Sequence, residues 1–214
     1  MKSDHRRIRL ESSRKNKVIG WGMTLEETMK FFKGQRKTVV TLLGYSGDYE
    51  DKKAMLKIVE NVLAENSPET SIINIGATYG GIGAAYAIAK SMGFITTGIV
   101  SSQAIQHLDD ISVDVDHICF VADNQWGGKL PNSNDLSPTS QAMVECSDIL
   151  VGIGGGPITR DEMIAGKEQG KLVQFYPAEI NHEIWIRHTQ EMNLPSPASF
   201  WGDAHEVFGS THDS

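Results

Sequence analysis

The chain has 214 residues, of which 40% are hydrophobic and 22% charged, so it can build one sizeable globular core. No apolar run approaches the roughly 18–20 residues of a membrane span, and two cysteines are too few for a disulfide framework. Residues 1–37 hold 11 of the 20 Lys and Arg but only 4 of the 27 Asp and Glu, leaving an acidic remainder. This basic segment reads as a solvated leader. Nucleic acid is the lesser alternative, because the interleaved aromatics of a stacking surface are missing. The charged start, Met1-Lys2-Ser3-Asp4-His5-Arg6-Arg7, leads into no apolar signal region. With Cys119 and Cys146 expected as buried thiols, the expected compartment is the reducing cytoplasm.

Residues 1–36 are read as a basic arm and a short helix, and residues 37–214 as a single nucleotide-binding domain. Thr24-Leu25-Glu26-Glu27 has the form of a capping box and predicts a short helix ending near Gly34. Thr38–Leu43 is a β-branched, apolar strand, and Gly44-Tyr45-Ser46-Gly47 turns the chain. Ala54, Leu56, Ile58, Val59, Val62 and Leu63 place one apolar face on a helix.

A second strand, Ser71–Ile75, runs into the glycine-rich turn 76–83, followed by an alanine-rich helix that stops at Gly93. Strands follow at Phe94–Val100 and His117–Ala122, then a polar loop and a short helix carrying Ala142, Met143 and Cys146. Ile149–Ile153 is the fifth strand, Thr159–Gln169 a helix and Lys171–Tyr176 a sixth strand. A helix around residues 183–190 and an aromatic tail with Phe200 and Trp201 complete the series. Strands alternating with helices predict an α/β, Rossmann-like, doubly wound fold: a mainly parallel sheet with helices on both faces.

In open α/β sheets ligands bind beyond the strand carboxyl ends. Three glycine-rich turns follow strands here, after Leu43, Ile75 and Ile153, and border one crevice if those strands are neighbours. They nominate Gly44, Ser46, Gly80, Gly81, Gly83, Gly154, Gly155 and Gly156 as ligand contacts. Bare backbone admits close approach, and the helix after Gly156 aims its dipole at the same place. The expected ligand is a nucleotide or phosphorylated sugar.

Neither the nicotinamide fingerprint nor a P-loop is present. Thr159 and Glu162 also fit a second capping box, a role compatible with chemistry at the same place. Arg160 is either a phosphate clamp or a solvated first-turn residue. Asp123 and Asn124 are either catalytic or sugar-binding groups or turn formers, and Ser46 and Ser140 lack a nucleophile elbow. His182 and His188 lie six apart, without the carboxylate or cysteine cluster a metal needs, so neither metal nor cofactor is expected.

Gly154-Gly155-Gly156-Pro157-Ile158-Thr159-Arg160-Asp161-Glu162 resembles the Pro-Gly-Gly-x-Gly-Thr-x-x-Glu signature of the lonely-guy phosphoribohydrolases. Residues 39–47 and 76–93 resemble that family's first strand and second glycine loop, so the resemblance spans about residues 38–176. It implies a Rossmann-like homodimer or higher homo-oligomer that cleaves the N-glycosidic bond of nucleoside 5′-monophosphates. Related members only bind nucleotide-derived signals. Glu162 then matches the catalytic glutamate, and Gly155, Gly156 and Thr159 match phosphate-loop positions. Gly154 replaces the signature's proline and Ile158 its last glycine. Thr139 and Ser140 stand where the family has an Arg-Lys pair, and no other Arg or Lys lies between Lys129 and Arg160.

Overall fold

The computed structural model describes residues 17–209, so the basic segment before Lys17 lies outside the described residues. Seven parallel strands form one open sheet: β1 (Lys17–Met23), β2 (Thr38–Gly44), β3 (Ser71–Ile75), β4 (Ile95–Ser101), β5 (His117–Val121), β6 (Ile149–Ile153) and β7 (Leu172–Tyr176). Their order is β1-β5-β4-β3-β2-β6-β7. The expected α/β, doubly wound, Rossmann-like architecture is the one observed.

Alternation along the strands explains the two layers. On β2, Val40 and Leu42 point to a core shared with α2 (Lys52–Ala64) and α3 (Ala85–Ser91) through Met55, Val59, Leu63 and Tyr86. Val39 and Leu43 point the other way. They meet α1 (Leu25–Gln35), α4 (Pro138–Glu145), α5 (Pro157–Glu168) and the short C-terminal α7 (Asp203–Phe208) through Phe32, Met143, Met163 and Phe208. Helix α6 (His182–Glu191) follows β7. Each large apolar side chain buried this way contributes roughly 1.5–3 kcal/mol.

Both cysteines are free and buried, and burial pushes each thiol up to about 12. No helix among the described residues is long and apolar enough to cross a membrane.

Three elements escaped the sequence pattern. β1 contains two glycines in seven residues and has register shifts after Val18 and Trp21, so it shows no clean alternation. It is fixed at the edge by pairing with β5 and by Trp21 stacked 4.5 Å from Phe120. The 3₁₀ segment Ser102–Asp110 and the six-residue α7 are too short and irregular for periodicity to register.

The first capping box forms as expected: Glu27 N–H donates to Thr24 Oγ1 (3.2 Å) and Thr24 N–H to Glu27 Oε2 (2.8 Å). The second does not. The N-cap of α5 is Gly156, and Thr159 is three residues inside the helix. Its hydroxyl reaches Gly44 O at 3.4 Å. The earlier start follows from Pro157, whose fixed φ suits the first helical position.

Candidate functional site

Sequence order reverses in the sheet between β2 and β6, because β2 runs outward through β3, β4 and β5 on one side while β6 returns on the other. At such a switch point the connections leave in opposite directions and a crevice opens at the strand carboxyl ends. Here it measures about 450 Å³. Gly44, Gly76 and Ser101 supply its floor from the ends of β2, β3 and β4, and Thr139, Met143, Thr159 and Glu162 enter from α4 and α5.

Glu162 dominates its chemistry. The residue is 4% exposed, and burial, assisted by the neighbouring Asp161 charge, raises its carboxyl to about 8 against an ordinary 4.5. A hydrogen bond from Ser140 Oγ to Glu162 Oε1 (2.5 Å) restrains that rise. Burial therefore favours the acid form. Ser140 Oγ in turn accepts from Gly128 N–H at 2.7 Å, which ties the long β5–α4 loop to the carboxyl.

Asp123 secures that loop at its start. It accepts from Thr139 N–H (2.9 Å) and Gln125 N–H (2.8 Å). Burial alone would raise its carboxyl, but these donors together hold it below the usual range. Of the two readings left open for Asp123, the turn former describes its contacts. The loop's far end is held by Ser137 N–H donating to Gly128 O (2.7 Å).

Of the residues nominated from sequence, Gly44, Ser46, Thr159 and Glu162 line this crevice. Gly80, Gly81, Gly83, Gly154, Gly155, Gly156 and Arg160 do not. Gly81 and Gly83 let the chain pack on itself, since a Cβ would strike the Tyr45 carbonyl at one and the Thr78 carbonyl at the other. Gly80 lies against the Ser46 carbonyl.

The triple-glycine turn is likewise covered by its own chain. Gly154, at φ 58°, faces Ala178 O and the Tyr45 ring, where a Cβ would lie 2.6 Å from both. Gly155 O accepts from Ala204 N–H (3.1 Å), and Gly202 packs on the same carbonyl. Arg160 is engaged with carboxylates: its Nε and Nη2 lie 2.9 Å from Asp161 Oδ1, and its Nη1 lies 3.1 Å from Asp203 Oδ1. That pair joins α5 to α7.

Sequence reasoning missed His107, Asp110 and Trp126, which line the mouth of the crevice. The available signal was an aromatic followed by two glycines in a polar loop, Trp126-Gly127-Gly128. Among the described residues no group of three or more His, Cys, Asp or Glu is placed to hold a metal.

Topology and crevice together define the class: an open, doubly wound α/β protein of the Rossmann-like kind. No protein-family model and no curated protein matches the chain. Several solved structures are similar in fold. The molybdenum cofactor carrier protein of Chlamydomonas reinhardtii shares 24% identity over 66% of this chain and 76% of its own, with a TM-score of 0.48. The molybdenum cofactor binding protein of Rippkaea orientalis shares 20% over 65% and 76%, with 0.49. DNA processing protein A of Streptococcus pneumoniae shares 16% over 84% and 62%, with 0.46. At this distance the likeness carries no chemistry, which rests on the crevice itself.

Proposed function

We propose that the crevice binds a small ligand of the nucleotide class, a heterocycle joined through a sugar to an anionic group. Glu162 is the central hydrogen-bonding acid of that site. The observation that carries this reading is the meeting, at the switch point, of Thr159 and the buried Glu162 from one helix with the Gly44–Ser46 turn. Among the described residues no lysine or arginine lines the space, so the anion rests on hydroxyls and on first-turn N–H groups of α5, which have no partner within their helix.

Thermal shift against nucleoside monophosphates tests the reading. Stabilisation should grow with ligand concentration, and Ser46→Asp, which sets a carboxylate at the anion end, should abolish it. Absence of any concentration-dependent shift across purine and pyrimidine monophosphates would refute binding. An unaltered response in the variant would refute the location.

A second reading, hydrolysis of the N-glycosidic bond, is favoured by the raised pKa of Glu162, whose burial keeps a proton on the carboxyl. In that reaction the bond from sugar to base breaks and the base nitrogen takes the Glu162 proton. Water then adds its oxygen to the anomeric carbon and returns a proton to the carboxylate. The acid form is lost as pH rises through about 8, so base release should fall above that pH and be lost in Glu162→Gln. Release that increases through pH 8 would assign the carboxylate a base role instead, and no free base at any pH leaves binding alone.

A further inference from the structure

We infer that Trp126, buttressed by His107, is the stacking platform for the ligand's heterocycle, so that the crevice has a fixed sense: base on Trp126, anion on Thr159 at the first turn of α5. The inference rests on the reading of the crevice as a nucleotide-class site. Four observations carry it.

Trp126 is 56% exposed, yet the backbone on either side of it is held in place. Asp123 anchors the loop through Thr139 and Gln125, and Gly128 is fixed through both N–H and carbonyl. A large aromatic left in water on a well-fixed loop is a preorganised surface, which gives up little entropy when a ring covers it.

The indole also has company. The His107 ring lies 5.6 Å from it at 59°, at a kink where His107 departs from helical geometry (φ −125°, ψ 39°). Both rings line the same crevice as Thr159 and Glu162.

Charge differs between the two groups of lining residues. Asp110, beside His107, puts a carboxylate next to the aromatic pair, where it accepts from amino or hydroxyl groups and repels phosphate. Thr159 supplies a hydroxyl in the first turn of α5, at the positive end of its dipole.

Finally, the platform is joined to the acid. Gly127 and Gly128 follow Trp126 at φ 128° and 79°, conformations that bring Gly128 N–H onto Ser140 Oγ, which donates to Glu162. A ring settling on Trp126 is thereby registered against Glu162 through two consecutive hydrogen bonds.

Titration calorimetry of the full chain with AMP, adenosine and ribose 5-phosphate tests this. Trp126→Ala should weaken AMP and adenosine roughly 10- to 100-fold, as loss of one base stack does, and leave ribose 5-phosphate unchanged. Trp126→Phe should restore most of the affinity. Unchanged thermal midpoints would establish that both variants are folded, which the exposure of Trp126 favours. Equal AMP affinity in Trp126→Ala would overturn the platform while leaving the crevice intact. Uniform weakening of all three compounds would overturn it too, since Trp126 would then be shaping the loop. Wild-type protein that binds none of the three would defeat the crevice reading itself, a result separable from the others because it needs no variant.

Discussion

The two glycine-bearing regions at the carboxyl end of the sheet have opposite fates. The turn at Gly154–Gly155 is covered by the protein's own chain: Ala178 O and the Tyr45 ring fill the room left at Gly154, the Thr159 side chain fills it at Gly155, and Gly202 and Ala204 close on the Gly155 carbonyl. The turn at Gly44–Ser46, one strand away, is packed at Gly44 against the Tyr49 hydroxyl and Ile153 O, yet its other side lines the crevice. Glycine in a βα turn records that something approaches closely. It does not record whether that something is a ligand or the rest of the chain. What distinguishes the regions is the polar group left behind: a satisfied main-chain carbonyl in the first, a buried carboxyl in the second.

The largest effect expected from this contrast is at Gly155. Its φ of 118° is unsuited to other residues, and a Cβ would lie 2.5 Å from Thr159. Gly155→Ala should cost about 3 kcal/mol or more in denaturant unfolding, whereas Ser46→Ala should cost almost nothing. Equal stability of the two variants would erase the distinction.

Ser140→Ala comes next, at about 2 kcal/mol, because it removes the partner of two buried groups at once. It should also carry the Glu162 carboxyl higher still, since the Ser140 hydrogen bond opposes the effect of burial. The sign is readable in stability. A carboxyl whose folded value is raised contributes fully below its ordinary 4.5, and that contribution is lost as pH rises to about 8. The pH dependence of unfolding should therefore slope downward across that window in wild type, extend to higher pH in Ser140→Ala and flatten in Glu162→Gln. A wild-type profile with no slope there would show that Glu162 is not held as the acid.

Smallest is Asp203→Asn, which weakens the Arg160 link between α5 and α7. With the Asp203 side chain 41% exposed, the loss should stay below about 1 kcal/mol in thermal unfolding. A larger loss would mean that the cover over the triple-glycine turn hangs on this ion pair rather than on the burial of Ala204 and Phe208.

The alternation of apolar strands and amphipathic helices made the sheet legible, since β2 to β7 are short runs that leave few other folds open. β1 was hidden because an edge strand with one neighbour needs no alternating pattern, and two glycines disrupt what pattern it has. Within the candidate site, Glu162 and Thr159 were visible through their spacing after a glycine turn. Their partners were not. Ser140 meets Glu162 across 22 positions of sequence, and no local rule links a serine on one helix to a carboxyl on the next. The covering of Gly154 and Gly155 was equally invisible, because Ala178, Gly202 and Ala204 arrive through a long return of the chain.

One consequence of the Gly128–Ser140–Glu162 chain concerns direction. A serine hydroxyl owns a single proton, and the amide of Gly128, which can only give, leaves Ser140 free to spend it on Oε1. With that donation in place, a neutral Glu162 carries its own hydrogen on Oε2. The carboxyl then offers its proton on one side only, and the main-chain amide that steers the serine is a donor at every pH.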